Sequence, residues 1–202
     1  MGTEYLRRFD GIVRDAAQGP APRIALHSCC AVCASHVVTL LAEHFDVTVV
    51  YYNPNIFPRA EYEKRKAEQI RILGEMPFAR PVGYVDFDYD HGEFLACAAG
   101  LEGAPEGGAR CERCFELRLG RTAAFAAAGG FDFFCSTLTV SPHKDADAVN
   151  RVGAALAERY NVPWLWSDFK KRDGYLRSTR FAEEYKIYRQ SYCGCEFAKG
   201  AL

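Results

Sequence analysis

Seven cysteines fall into three tight clusters, Cys29-Cys30-Ala31-Val32-Cys33, Cys111-Glu112-Arg113-Cys114 and Cys193-Gly194-Cys195, which bracket most of the chain. Disulfide geometry rarely suits vicinal or near-vicinal cysteines, whereas a turn can present their thiolates together to one metal centre. Any fold for this chain must therefore bring distant turns into register. The two remaining cysteines, Cys97 in a helical stretch and Cys135 in an apolar strand, read as buried small hydrophobes.

The sequence between the clusters alternates short branched apolar runs with longer segments of helical period, the pattern of parallel strands joined by crossover helices. Strands are expected at 24–27, 46–52, within 82–86, at 131–137 and at 162–166. Helices are expected at 34–44, at 59–73 closed by Gly74, from Cys111 to Gly129-Gly130, and at about 145–160. Residues 53–58 form a loop, because Pro54 and Pro58 hold their predecessors extended. Gly100–Gly108 is too rich in glycine for a regular element, and the chain after Asp168 reads as helical and basic until Tyr192. The expected class is α/β, with residues 1–22 as a helical or loose N-terminal extension and 23–202 as a single α/β catalytic domain. With 202 residues, 49% of them hydrophobic, there is enough apolar chain for one sizeable core.

On this plan the first cluster lies at the carboxyl end of the first strand, where open α/β sheets place their ligand crevice, and the second opens a helix. Helix N-termini stabilise thiolate and offer N–H donors to sulfur, so an iron or iron–sulfur site is expected. Four thiolates complete a [4Fe-4S] cluster, and three remain for a further metal ion with an open position. A structural zinc site and a redox pair at Cys111 and Cys114 are the alternatives. Spacing alone does not divide the seven ligands, Cys29, Cys30, Cys33, Cys111, Cys114, Cys193 and Cys195, between two centres.

Tyr52, His143 and Lys144 follow expected strands and are candidate proton donors. Asn53, Asn55 and Ser141 are turn formers as well as candidate substrate ligands. The chain carries a formal charge of -1, so a nucleic-acid partner would need a local basic face. Between Asp168 and Arg189 seven basic residues outnumber four acidic ones, interleaved with Tyr175, Phe181, Tyr185 and Tyr188; Tyr192 follows. That mixture suits a single-stranded RNA loop, and equally an amphipathic helix with a solvated face. The segment from Arg59 to Arg71 reads either as a second basic arm for RNA or as a helix along which its interspersed glutamates, Glu61, Glu63 and Glu68, pair with the cations. No apolar run is long enough for a membrane span, and Met1–Asp10 is charged where a signal peptide is apolar, so a cytoplasmic location is expected.

These clusters, in this order, occur with Tyr51-Tyr52-Asn53-Pro54-Asn55-Ile56, the run Arg110–Leu119, the run Ser136–Lys144 and the run Tyr188–Cys195. Together they resemble the QueH family, whose members are epoxyqueuosine reductases, from about Ile24 to Phe197. The resemblance implies cobalamin-independent, two-electron deoxygenation of epoxyqueuosine to queuosine at the tRNA wobble position, with electrons from an external donor. It also implies a fold related to adenine-nucleotide α-hydrolases (HUP) and a [4Fe-4S] cluster beside a mononuclear iron or other divalent metal. Tyr52 and Lys144 are then catalytic candidates, and Asn53, Asn55, Ser141, Arg189 and Tyr192 substrate-binding ones. Some members carry aspartate where Cys33 stands, a change of ligand softness that bears on the lone ion. A nucleotide transferase of the related fold would need a glycine loop after the first strand; Ser28-Cys29-Cys30 would obstruct phosphate there. A zinc-stapled RNA-binding module is the non-catalytic alternative.

Overall fold

The computed structural model describes residues 2–198. Four parallel strands, β1 (Arg23–His27), β2 (Asp46–Tyr51), β3 (Gly83–Asp86) and β4 (Phe133–Ser136), form one sheet in the order β3-β2-β1-β4. Helices flank it: α1 (Gly2–Ala16), α2 (Ala31–Ala42), α3 (Arg59–Glu75), α4 (His91–Ala98), α5 (Ala109–Ala128), α6 (Ala146–Tyr160) and α7 (Gly174–Glu184). This is the expected α/β class. None of these helices is long and apolar enough to cross a membrane.

The central strands are continuous apolar runs because both faces are covered. Ile24, Ala25 and Leu26 of β1 and Val49 and Val50 of β2 are fully buried. Each larger side chain of this kind contributes roughly 1.5–3 kcal/mol by leaving water. Strand β1 pairs with β2 on one side and β4 on the other, so the strand order reverses about it. A crevice at the carboxyl ends of β1 and β4 follows from that topology.

Several expected boundaries move, each for a local reason. The helix expected at 34–44 starts at Ala31, because the Cys30 sulfur accepts from the Cys33 backbone N–H as its N-cap. The helix expected to close at Gly74 continues to Glu75. The fourth strand shrinks to Phe133–Ser136, and Thr137–Val140 winds into a 3-10 helix capped by the Ser136 hydroxyl. The fifth strand is reduced to a single parallel bridge between Phe134 and Trp164, since Pro163 offers only its carbonyl. The helical, basic stretch expected to reach Tyr192 ends at Glu184, and residues 185–195 form neither helix nor strand. Helix α4 was signalled only around Cys97. It begins where Asp90 accepts from the Gly92 N–H. Helix α1 packs Phe9 and Ala16 into the main core and stacks Tyr5 on Trp166 at 5.7 Å.

Candidate metal centre

Strand β1 hands the chain to a tight elbow at Ser28-Cys29-Cys30, and α2 starts immediately afterwards. The elbow is held from several sides: Asn53 Nδ2 donates to the Ser28 carbonyl at 2.8 Å, and the Cys29 N–H to Thr137 Oγ1 at 3.4 Å. The result is a group of three thiols, Cys29, Cys30 and Cys33, whose sulfurs all lie within 4.8 Å of one another. Soft ligands at this spacing can hold a metal ion or part of an iron–sulfur cluster. Gln190 Nε2 reaches the Cys30 sulfur at 3.0 Å. The S–H groups of Cys30 and Cys33 hold the Cys29 thiol well below its ordinary range, assisted by His27 and Arg118 against the opposing effect of burial. Donating to Cys29 pushes the Cys30 thiol up to about 12. Within the trio, Cys29 is the thiol whose ionised form its neighbours favour.

A second group forms beside it. Cys111 and Cys114 in the first turns of α5, with Cys193 and Cys195 from the C-terminal strap, line one small buried cavity together with Arg118 and Lys144. The Gly107 N–H donates to Cys111 Sγ at 3.2 Å, which draws the glycine-rich loop to the helix start. Arg110, 2% exposed, pulls the same loop inward by donating to the Leu101, Glu102 and Ala104 carbonyls.

Two buried cations stand among the thiols. Arg118 is 2% exposed; its guanidinium reaches the Cys114 carbonyl at 3.3 Å and Asn53 Oδ1 at 3.4 Å, and its Nη2 has no partner among the described residues. No carboxylate pairs with it there. A buried cation without a counter-ion is costly, so its surroundings must supply negative charge. Burial alone would lower its pKa, but Cys114, Cys193, Cys29 and Cys111 together raise it. Lys144 Nζ donates to Cys193 Sγ at 3.2 Å and to Glu106 at 2.8 Å; burial opposes its charge, and Cys193 and Glu106 outweigh burial. This setting fits an anionic, thiolate-ligated metal group, which is the donor chemistry that the cysteine pattern implies.

The strap that carries Cys193 and Cys195 has little local structure and is tied down from outside. Arg65 on α3, 2% exposed and braced by Glu61, donates to the Cys193 carbonyl at 3.1 Å and the Tyr192 carbonyl at 3.2 Å. Gly194 adopts φ +108°, and a Cβ there would lie 2.9 Å from Ile56 Cγ1, so only glycine lets the strap pass. The Phe57 N–H donates to the Gly194 carbonyl, and His91 bridges the Pro54 carbonyl to Glu196.

All seven cysteines named from the sequence are therefore brought to one end of the sheet. Cys97 packs beside Cys114 and Cys195, while Cys135 is fully buried in β4. An open cleft of about 360 Å³ adjoins the thiols, lined by Ser141, His143, Gln190, Tyr192 and Cys193 among others. Ser141 also accepts from the His143 N–H, as a turn former does. Asn53 and Asn55 are each 1% exposed, and Asn53 is spent on Ser28 and Arg118. The Tyr52 hydroxyl donates to Glu93, which pairs with Arg121, on the α4–α5 side of the sheet. Arg189 is exposed outside the cleft lining. Phe181 and Tyr185 pack against Ile72, Met76 and Ala31, so this part of the basic stretch is core, while Tyr175 is 41% exposed. The charges of α3 mostly pair along the helix, as Arg65 with Glu61 and Arg71 with Glu68 and Glu75.

Sequence reasoning missed Arg118, Gln190, Thr137 and Glu106. Arg65 pairs along the helix with Glu61, one of the two expected readings, but its burial and its hold on the strap carry no sequence signal. Arg118 and Thr137 do stand inside the quoted motif runs, but a lone basic or hydroxyl residue carries no signal of burial.

A family model described as epoxyqueuosine reductase QueH matches residues 24–201. The protein named epoxyqueuosine reductase QueH from Streptococcus pyogenes serotype M1 is 42% identical over 179 residues, covering 88% of this chain and 70% of the relative. The protein of the same name from Staphylococcus epidermidis is 41% identical, covering 89% and 77%. That from Thermotoga maritima is 32% identical, covering 87% and 89%. With a family model matched over most of its length and relatives of this identity, this chain belongs to the epoxyqueuosine reductase QueH family.

Proposed function

We propose that this chain reduces the epoxide of epoxyqueuosine, at the wobble position of a tRNA anticodon, to the cyclopentene of queuosine. The net change takes in two electrons and two protons and releases water. The observation that carries the proposal is the buried, carboxylate-free Arg118 among thiols of all the converging clusters, beside an open cleft. Family membership names the substrate.

Cys111, Cys114, Cys193 and Cys195 would hold a [4Fe-4S] cluster, and Cys29, Cys30 and Cys33 an adjacent mononuclear iron or other divalent metal. When bound, such groups supply single electrons, delivered by an external donor, and a Lewis acid for the epoxide oxygen. The protein does the rest. Arg118 and Lys144 balance the negative charge of the thiolates. Lys144, locked as an ammonium by Cys193 and Glu106, holds charge in place more readily than it gives up a proton. His143, on the cleft wall, supplies protons. Ser141 and Tyr192 orient the nucleoside in the cleft, and Arg189 meets backbone phosphate outside it. Asn53 acts from behind by fixing the elbow through the Ser28 carbonyl, and Asn55 is buried two residues on. Tyr52 positions the end of β2 through Glu93. A tRNA substrate supports a cytoplasmic location.

The test is turnover. Anaerobically purified protein, chemically reduced, is incubated with an anticodon stem–loop RNA bearing epoxyqueuosine, and the digested nucleosides are weighed by mass spectrometry. Queuosine, lighter by one oxygen atom, is expected. Unchanged epoxyqueuosine from metal-loaded protein would sink the proposal.

A further inference from the structure

We propose that Phe57 is a stacking subsite for a nucleobase that flanks the modified nucleotide, and so selects for a single-stranded RNA loop. The inference rests on the tRNA substrate proposed above and concerns residues outside the quoted motifs.

Phe57 is a large apolar side chain left 40% exposed. Single exposed apolar residues are ordinary, so exposure alone carries nothing. Its setting is what distinguishes it. Both backbone groups are fixed to the strap at the cleft: its N–H donates to the Gly194 carbonyl at 2.9 Å, and its carbonyl accepts from the Tyr192 hydroxyl at 2.5 Å. Tyr192 lines the cleft, so the Phe57 backbone is one hydrogen bond from it. The ring itself lies on His91, with centroids 5.1 Å apart and planes 28° from parallel. His91 is in turn held at both nitrogens, by the Pro54 carbonyl and Glu196. An exposed aromatic ring is thus pre-ordered on a fixed support. An exposed cation, Arg59, stands two residues on, paired with Glu63 at 3.4 Å. Aromatic platforms beside cations are how proteins hold unpaired bases, since every base has a π face and every nucleotide a phosphate. Pre-ordering lowers the entropic cost of that contact.

The experiment uses anaerobically purified protein and two unmodified anticodon stem–loop RNAs, with 2-aminopurine on the 5′ or the 3′ side of the wobble position. The wild-type protein should quench one of the two. Phe57→Ala should abolish that quenching and weaken stem–loop binding by about 5- to 150-fold, the range for loss of one stacked base. Phe57→Trp should restore both and Phe57→Leu should not, which separates stacking from mere apolar contact. Leu95→Ala, which removes another exposed apolar side chain, on α4, should leave quenching and affinity unchanged. Equal affinity and quenching for wild type and Phe57→Ala would overturn the inference, as would rescue by Phe57→Leu. These binding readouts do not depend on turnover. A protein that quenches through Phe57 yet fails to reduce epoxyqueuosine would defeat the proposed function alone.

Discussion

Cys29, Cys30 and Cys33 stand on the most regular part of the molecule, the end of the central strand and the first turn of α2. Cys193 and Cys195 stand on residues 185–195, which form neither helix nor strand. The first group is placed by the strand ladder on both sides of β1 and by the N-cap that Cys30 supplies. The second is placed by side chains arriving from elsewhere: Arg65 from α3, Lys144 from the loop before α6, and the Ile56-Phe57 backbone. Both halves end at one site, but only the first is fixed by local structure. The strap should therefore be the weaker half, and its failures should come from single distant residues.

Arg65→Ala should show this most strongly. It strips the strap of two hydrogen bonds and leaves Glu61, only 12% exposed at its side chain, without its cation. Removing one partner of a buried pair costs about 3–5 kcal/mol. Urea unfolding should report that loss, and metal content should fall with it. A variant with wild-type stability would mean that the strap is held by something other than Arg65.

The pattern along the chain exposed the elbow and concealed the strap for this reason. A strand, a turn and a helix start leave periodic traces, so the positions of Cys29–Cys33 and Cys111–Cys114 are legible, although α2 takes in Cys33 where a turn is expected. The strap leaves only a C-G-C spacing and no period. Arg65 and Arg118 look like ordinary helix charges in sequence, because their burial depends on what the fold brings against them. The fifth strand was over-read for a similar reason: Val162–Trp166 has the composition of a strand, but Pro163 limits its pairing. Asn53 and Asn55 follow β2 as expected, yet turn chemistry carries no trace of their burial or of the hold of Asn53 on the elbow.

Acid should probe the other half. His36 on α2, 5% exposed, has its pKa lowered to about 4 by burial and then by Arg177. Between that value and the ordinary one near 6.5, the unfolded chain binds a proton that the folded chain refuses. The stability that His36 contributes is complete above about pH 6.5 and is lost as pH falls towards 4, about 3 kcal/mol in all. His27, shifted the same way to about 3 by burial and then Arg118, adds to the same slope from about pH 6.5 downward and carries it on below pH 4. His36→Gln should flatten the first part of a stability-versus-pH curve measured by denaturant. An unchanged curve would show that His36 already titrates normally.

Gly194→Ala should have the smallest effect of the three. It forces a side chain into φ +108° and against Ile56, a cost of about 1–3 kcal/mol for strained backbone. Because the strain falls on the strap, thermal unfolding should shift modestly while the Cys29 group keeps its metal-binding competence, read by cobalt titration of the thiolate absorption band. Loss of both together would dissolve the distinction between the two halves.

The proposal that the seven thiols hold metal together is tested most directly by counting what they hold. Iron, acid-labile sulfide and zinc are measured per chain on anaerobically purified protein, with electron paramagnetic resonance before and after dithionite. About five iron and four sulfide, with a reducible cluster signal, are expected for one [4Fe-4S] cluster and one further ion. One zinc per chain, without sulfide and unchanged after attempted anaerobic reconstitution, would contradict it.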